Sequence, residues 1–293
     1  MKRWLLPILL LAGCTASQSR HALQGEPLES APAAPVAGRV LDDGGSIDGW
    51  RYYEVEGSLK PLTFESVEGA LHLTSDGSAG LLWRAMRFEP GAEPLLQWRW
   101  RVSRTFDTST PLAPEFDNFP ARLLVGFDSG WKDAGPAALA WRRKVEQHTG
   151  VTPPARAICY TFGGTLESNE AVDAAFGEGR IVVINLRTPR DGTGWHTEVR
   201  DLASDYRSVY GEDPPEVMAL GIGCDSHRLK TRVEAWFDDI TLYGCDAYAQ
   251  FRRQLAPSPQ RRAPPLVWYV FAACALVAGG SAAVWLWLRR RGG

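Results

Sequence analysis

The chain has 293 residues, enough for one large domain or two small ones, and 45% of them are hydrophobic, enough for a substantial core. Lys and Arg number 32 against 34 Asp and Glu, and this balance excludes the strong positive field of a nucleic-acid-binding protein. The 12 tryptophans favour a β fold, in which Trp serves either in the core or on a recognition surface.

Residues 1–13 predict a signal peptide, with a basic start at Lys2 and Arg3 and an apolar run too short to cross a membrane. The sequence Leu-Ala-Gly-Cys ending at Cys14 resembles the lipobox of bacterial lipoproteins, which implies cleavage before Cys14 and a lipid on its sulfur. The alternative is an ordinary signal peptide with a coincidental cysteine. Residues 14–37 are rich in Ala, Pro, Ser and Gln and predict a flexible tether.

Residues 38–245 contain short apolar or alternating runs broken by Gly, Pro, Asp and Asn, and they predict a mainly β domain. The expected fold is a two-sheet sandwich with one or two short helices, over Ala137–His148 and Ser204–Tyr210, the second capped by Ser204. The predicted strands are Arg51–Val55, Leu62–Val67, Ala70–Thr74, Leu81–Phe88, Leu95–Val102, Ala121–Phe127, Ala155–Phe162, Ile181–Leu186, His196–Leu202, Val217–Gly223 and Arg232–Leu242.

The strand Leu95–Val102 alternates, so Trp98 and Trp100 share one face while Arg99 and Arg101 share the other. Two interpretations stay open for the tryptophans. They either pack in the core or form an aromatic platform on which sugar rings stack.

Residues 246–265 are rich in Pro and Arg and predict a stalk, which precedes an uncharged run over residues 266–288. Its 23 residues reach roughly 34 Å as a helix, enough to span a ~30 Å hydrocarbon core. The arginines of the tail, residues 289–293, predict a cytoplasmic C-terminus by the positive-inside rule. The predicted location is therefore the bacterial cell envelope, with an inner-membrane anchor and the main domain in the periplasm.

Most of residues 45–243 resembles a bacterial family known as domain of unknown function 3047. The resemblance is carried by the runs Asp48-Gly49-Trp50, Leu95 to Trp100, Arg122 to Phe127, Ala138 to Trp141, Arg180 to Val183, Trp195 to Leu202, Asp205-Tyr206, Tyr210-Gly211-Glu212, Pro214-Pro215 and Phe237 to Ile240. It implies an exported, jelly-roll-like sandwich similar to carbohydrate-binding modules and implies no established activity. This chain departs from the family pattern in the loop 224–231, where only Asp225 matches.

His196, Glu198 and Arg200 alternate along one strand and therefore share a face. With Asp205 and Asp225 they form a candidate polar patch at the end of the sandwich. The functional interpretation is hydrogen bonding to sugar hydroxyls or a carboxylate. The structural interpretation is a salt-bridge network on a solvated face that ties the strand to the helix Ser204–Tyr210.

Asp238 and Asp239 are the candidate metal ligands. The resemblance to carbohydrate-binding jelly rolls implies that this stretch contributes to a structural Ca²⁺ site, and no other cofactor is predicted. Adjacent strand residues point to opposite faces, so at most one of the two would bind by its side chain.

Cys159, Cys224 and Cys245 would lie in an oxidising compartment, where three cysteines allow at most one internal bridge, and their pairing stays open.

The predicted function is that of a membrane-anchored, non-catalytic module that binds an envelope glycan or another envelope component. One alternative is a glycan-processing hydrolase or lyase acting through Glu198 and Asp225. Another is a structural partner within a membrane complex. The expected partners are membrane lipid and a glycan or envelope protein, with no nucleic acid.

Overall fold

The computed structural model describes residues 36–54, 60–175, 179–251, 253–255 and 257–262. A first compact unit ends at Gln260, and only Arg261 and Arg262 of the second unit, residues 261–293, are described. The strands are β1 Arg39–Asp42, β2 Arg51–Glu54, β3 Thr63–Val67, β4 Ala70–Asp76, β5 Ala79–Phe88, β6 Leu95–Val102, β7 Ala121–Phe127, β8 Arg156–Phe162, β9 Glu170–Asp173, β10 Ile181–Arg187, β11 His196–Asp201, β12 Val217–Asp225, β13 Arg232–Tyr243 and β14 Gln260–Arg261. The helices are α1 Pro136–Thr149, α2 Leu202–Tyr210 and α3 Tyr248–Phe251.

The strands form two sheets. A six-stranded sheet has the order β11-β6-β13-β4-β3, with β1 also paired to β13, and an eight-stranded sheet has the order β14-β9-β10-β8-β7-β12-β5-β2. β8 and β10 run parallel, whereas the other pairs of defined register are antiparallel. The prediction of a mainly β, two-sheet sandwich with few short helices is confirmed.

The core lies between the two sheets and follows from the alternation of their strands. On β6 the even-numbered residues from Leu96 to Val102 point inward, and Trp98 and Trp100 are fully buried. β7 contributes Leu123, Val125 and Phe127 from the opposite sheet. Because the inner faces of both sheets belong to one continuous cluster, the sandwich has a single main core.

The predicted strands and helices are found with shifts of a few residues, but β1, β9, β14 and α3 were not predicted. These elements have two to four residues and give little periodic signal, although the equally short β2 was predicted. The prediction that Ser204 caps the second helix was wrong, because Asp201 occupies that position and its Oδ1 accepts a 2.8 Å hydrogen bond from the Ser204 backbone N–H.

The signal peptide and the predicted span at 266–288 lie outside the described residues, as does the tether except for Val36 and Ala37. No helix in the described part of the chain is long and apolar enough to cross a membrane. Residues assigned to the stalk include α3, whose Phe251 is buried against Leu95 and Val199.

Candidate functional site

The polar side chains of β11 face the interior of the sandwich. β11 pairs with β6 so that His196 lies opposite Trp100 and Glu198 lies opposite Trp98. Directly opposed residues share a face of the sheet, and both tryptophans are fully buried. The expectation that His196, Glu198 and Arg200 occupy a solvated face is therefore corrected, because the register points them toward the core.

Trp98 and Trp100 belong to the core rather than to a platform. Their rings meet edge to face with centroids 5.5 Å apart, and Trp98 also lies 5.3 Å from the Tyr160 ring. Neither ring presents any surface to solvent, so a ligand outside the sandwich contacts neither of them. Of the two interpretations drawn from the sequence, the structure supports core packing.

Glu198 uses both of its oxygens within the protein. Oε1 accepts hydrogen bonds from Trp100 Nε1 at 2.9 Å and from Arg187 Nε at 2.7 Å, and Oε2 accepts one from Arg187 Nη2 at 3.0 Å. Two-point pairing with a guanidinium is a strong, directional interaction for a carboxylate. Glu198 therefore holds the edge strand β11 against β10 and β6.

Arg200 and Asp205 form a buried ion pair that connects β11 to α2. Arg200 donates to Asp205 Oδ2 from Nε at 2.8 Å and to Oδ1 from Nη2 at 2.6 Å. Tyr160 donates its hydroxyl to Asp205 Oδ2 at 2.6 Å, and burial beside this carboxylate raises the pKa of Tyr160 well above its usual value. Arg200 and Asp205 are each only 2% exposed. They therefore form a salt bridge between the strand and the helix, as in the structural interpretation, but in the interior rather than on a solvated face.

His196 lies at the start of β11, near the pair of Arg187 and Glu198. Its ring meets the Phe162 ring at 5.4 Å, and its Nε2 is buried without a hydrogen-bond partner. Burial, assisted by the positive charge of Arg187, lowers the pKa of His196 below its usual value. His196 therefore stays neutral to a lower pH than an exposed histidine does.

Asp225 belongs to a different charged cluster from Glu198. Its Oδ2 lies 3.6 Å from Arg122 Nη2, and the same guanidinium lies 3.2 Å from Asp117 Oδ2. Burial raises the pKa of Asp225, although Arg122 opposes that shift. Glu198 and Asp225, the pair considered for glycoside cleavage, are thus each committed to their own arginine.

Asp238 and Asp239 lie at an irregularity of β13 and share one guanidinium. Arg99 Nη1 is 3.4 Å from Asp238 Oδ2 and 3.3 Å from Asp239 Oδ2. Burial and the neighbouring Asp239 raise the pKa of Asp238. In the described part of the chain no group of three or more His, Cys, Asp or Glu is arranged to hold a metal ion. Arg99 is therefore the positively charged partner of Asp238 and Asp239 in the structure.

The outer face of the six-stranded sheet carries a row of residues that sequence reasoning did not select. His72, Trp236 and Arg101 are cross-strand partners on β4, β13 and β6, and Trp195 immediately precedes β11 beside Arg101. We call these four residues the outer ladder. Two features of the sequence could have identified these residues. Arg101 was predicted to lie on the face of its strand opposite the two tryptophans, and no role was predicted for Trp195 or Trp236.

The outer ladder is stacked across the sheet. His72 lies parallel to Trp236 at 4.6 Å, and the Arg101 guanidinium carbon lies 3.7 Å from the centroid of the Trp236 ring. Arg99 and Arg101 also lie 4.9 and 5.5 Å from the Trp195 ring. Trp195 is 39% exposed, so it is the aromatic ring that this face presents to solvent.

A shallow cavity of about 250 Å³ opens on the outer ladder, lined by Val67, Glu68, Ala70, Arg99, Arg101, Trp195, Trp236 and Asp238. Arg101 forms no ion pair with a carboxylate among the described residues, and its Nε has no hydrogen-bond partner there. The cavity therefore combines an exposed indole, a guanidinium with no carboxylate partner in the described part of the chain, and the carboxyl groups of Glu68 and Asp238. Such a combination suits ligands that have both a flat apolar face and polar or anionic groups.

Cys159 and Cys224 are both free thiols in the structure, and both are buried. Burial raises the pKa of Cys159 to about 12, and burial also raises the pKa of Cys224. The single bridge that the sequence allowed is therefore not formed by these two cysteines.

A family model described as "Protein of unknown function (DUF3047)" matches residues 48–241. None of the curated proteins compared matches the chain. Among solved structures, the xyloglucanase domain of NopAA from Sinorhizobium fredii, in complex with cellobiose, is 11% identical with a TM-score of 0.38, over 67% of this chain and 92% of that one.

Two further solved structures are similar at comparably low sequence identity. A metagenome-derived glycoside hydrolase family 12 endoglucanase is 14% identical, with a TM-score of 0.40, over 71% of this chain and 94% of that chain. The module TmCBM61, in complex with β-1,4-galactotriose, is 10% identical, with a TM-score of 0.27, over 68% of this chain and 91% of that chain.

Proposed function

The chain belongs to the family described as protein of unknown function (DUF3047), and we propose that this member is a membrane-anchored, non-catalytic module that binds an envelope glycan on its outer ladder. The observation that carries the proposal is the exposed Trp195 ring beside the guanidinium of Arg101, on the open face of a rigid sheet. Arg101 and Trp236 stand on sheet strands, which hold side chains more exactly than loops do, and Trp195 lies in the loop immediately before β11.

The chemistry of the outer ladder fits a sugar ring. The C–H face of a pyranose is apolar and packs on an indole, while its hydroxyl and carboxylate groups accept hydrogen bonds from a guanidinium. Trp236 is covered by His72 on one side and by Arg101 on the other, so it orients Arg101 rather than stacking on the ligand. Because Arg101 lacks a carboxylate partner in the described residues, an acidic sugar is favoured over a neutral one.

We favour binding over catalysis because the carboxylates considered for glycoside cleavage, Glu198 and Asp225, are already paired with other groups of the protein. Glycoside hydrolysis requires two carboxyl groups that flank the scissile bond. Glu198 is occupied by Arg187 and Trp100, and Asp225 is paired with Arg122 in a separate cluster. Neither of them lines the cavity on the outer ladder, whose own carboxyl groups are Glu68 and Asp238, and Asp238 is paired with Arg99.

The test is an array of neutral and acidic oligosaccharides probed with the full chain in amphipol, followed by calorimetry on the ligands found. We expect Trp195→Ala to weaken binding about tenfold or more, equivalent to about 1.4 kcal/mol. Arg101→Gln should weaken acidic ligands selectively. The matched control is Trp141→Ala, because Trp141 is a similarly exposed tryptophan on α1, remote in sequence from the outer ladder.

Two results would overturn the proposal. One is binding that Trp195→Ala and Trp141→Ala affect equally. The other is release of shortened product during the incubation, which would indicate a hydrolase or lyase instead.

Anchoring at both ends completes the proposal and rests on the sequence. Cys14 follows a lipobox-like sequence, and residues 266–288 form an uncharged run that precedes an arginine cluster. The full chain with Cys14→Ser should lose labelling by radioactive palmitate yet stay in the membrane fraction after a salt wash. Release of that variant into the soluble fraction would show that residues 266–288 do not anchor the chain.

A further inference from the structure

A second cavity, unrelated to the outer ladder, lies on the outer face of the eight-stranded sheet beside α1. Its volume is about 630 Å³, within the range of small-molecule sites. We call it the sheet groove. Small residues on neighbouring strands line its floor, namely Ala85, Gly126, Ala157, Ala219 and Gly221, and larger apolar side chains form its walls, including Tyr53, Trp83, Met86, Trp131, Trp141 and Val145.

The glycines of the floor allow neighbouring side chains to pack directly on the sheet. A Cβ at Gly126 would lie 2.2 Å from Cγ of Pro154, and a Cβ at Gly221 would lie 3.2 Å from Cδ1 of Leu81. On the α1 side, Trp131 is fixed by the hydrogen bond that its Nε1 donates to the Pro153 carbonyl at 3.2 Å. Pro154 and Leu81, packed on the glycines, and Trp131, held by its hydrogen bond, therefore shape the sides of the groove.

The charged residues that line the sheet groove are all arginines, as far as the described residues go: Arg87, Arg156 and Arg180. Arg87 is paired with Glu216, and Arg156 is paired with Glu212. Arg180 donates to the Ala155 carbonyl at 3.3 Å and lies 5.4 Å from the Trp131 ring. Within the described residues Arg180 has no carboxylate partner, so among these three arginines it is the one available to an anion.

We propose that the sheet groove binds a long-chain fatty acid, with the hydrocarbon chain along the floor and the carboxylate on Arg180. Charge complementarity selects this occupant, because an uncharged apolar ligand leaves Arg180 without a counter-charge, and a glycan would leave hydroxyl groups unpaired over the Ala and Gly side of the floor. The site is independent of the outer ladder and does not rest on the proposed glycan function.

The test is photo-crosslinking of the full chain, held in amphipol to avoid detergent micelles, with a diazirine analogue of hexadecanoic acid. We expect saturable labelling that maps to the peptides containing Trp131 to Thr152 or Met218. Competition by saturated fatty acids should strengthen with length, about threefold to fourfold in Kd for each added methylene that is buried.

Arg180→Gln should reduce labelling by the acid about tenfold while leaving labelling by the matching diazirine alcohol unchanged. This alcohol control separates loss of the charge contact from a general loss of folding. Trp195→Ala is the second control and should label like the unchanged chain, so that failure of the fatty-acid site and failure of the glycan site are distinguishable.

Three results would overturn the proposal. These are labels spread over residues outside the sheet groove, competition that does not depend on chain length, and equal labelling of the acid in Arg180→Gln and the unchanged chain. Saturable capture of an apolar peptide in place of the acid would assign the groove to a protein partner and would also overturn it.

Discussion

The guanidinium carbon of Arg101 lies 3.7 Å from the centroid of the Trp236 ring, and the two residues are direct cross-strand partners on the outer face of the six-stranded sheet. A cation placed over an indole is attracted by the electron density of the ring, by about 0.5–1 kcal/mol when exposed and about 2 kcal/mol when desolvated. This contact fixes the direction of Arg101 and leaves Trp195 as the exposed ring of the outer ladder.

A double-mutant cycle should therefore detect coupling between Arg101 and Trp236. We expect Arg101→Met and Trp236→Leu to show a coupling free energy of unfolding of about 1 kcal/mol, measured by urea titration of the full chain. Arg104 offers a matched control, because it is an exposed arginine bonded to the Thr231 hydroxyl, and its cycle with Trp236 should give no coupling. Additive effects of Arg101→Met and Trp236→Leu would contradict the stacked geometry.

The buried pair Arg200–Asp205 should be the most sensitive ionic contact in the fold. Truncation of one partner leaves an uncompensated charge in the interior, so Arg200→Ala is expected to lower the free energy of unfolding by about 3–5 kcal/mol. Arg207→Ala breaks an exposed pair with Asp213 and should cost about 1 kcal/mol or less. Urea titrations of the two variants compare them directly, and equal losses would show that burial does not strengthen the first pair.

Much of the sandwich could be predicted from the sequence because its long strands alternate clearly. β6 is the plainest case, since the alternation of Trp98 and Trp100 with Arg99 and Arg101 assigns both faces of the strand. β1 and β9 have four residues each, too few for a period to show. They form because a neighbouring strand offers unpaired backbone groups, and this is tertiary information.

The candidate site was less predictable because a strand pattern does not say which face is buried. His196, Glu198 and Arg200 are polar at every second position, a pattern that normally indicates a solvated face. Glu198 and Arg200 can point inward because Arg187 and Asp205, from other elements, neutralise their charges, and His196 lies beside them with its pKa lowered. The outer ladder joins three strands and one loop, so its members become neighbours only through the sheet order.

The two free cysteines should be chemically inert in the folded protein. The thiolate is the reactive form, and burial raises the pKa of Cys159 to about 12 while also raising that of Cys224. Iodoacetamide at pH 8 should leave both peptides unmodified, as read by mass spectrometry, and should modify both after addition of guanidinium chloride. Modification of either cysteine without denaturant would show that it is accessible in solution.

His196 should make the protein less stable as the pH falls. Its pKa in the folded protein is below the usual value of about 6.5, because burial and Arg187 disfavour the imidazolium more than Glu198 and Asp191 favour it. On acidification the unfolded chain therefore takes up this proton first, so the folded state loses stability from about pH 6.5 down to the folded pKa. Above pH 6.5 the residue makes no pH-dependent contribution.

An NMR titration of the histidine ring signals, with His196→Gln used to assign the resonance, should show a midpoint below 6.5. The unchanged chain should also lose more stability than His196→Gln between pH 7 and pH 5. A midpoint of 6.5 would remove the difference between the two chains, and a midpoint above 6.5 would reverse its sign and mean that Glu198 and Asp191 dominate the ring.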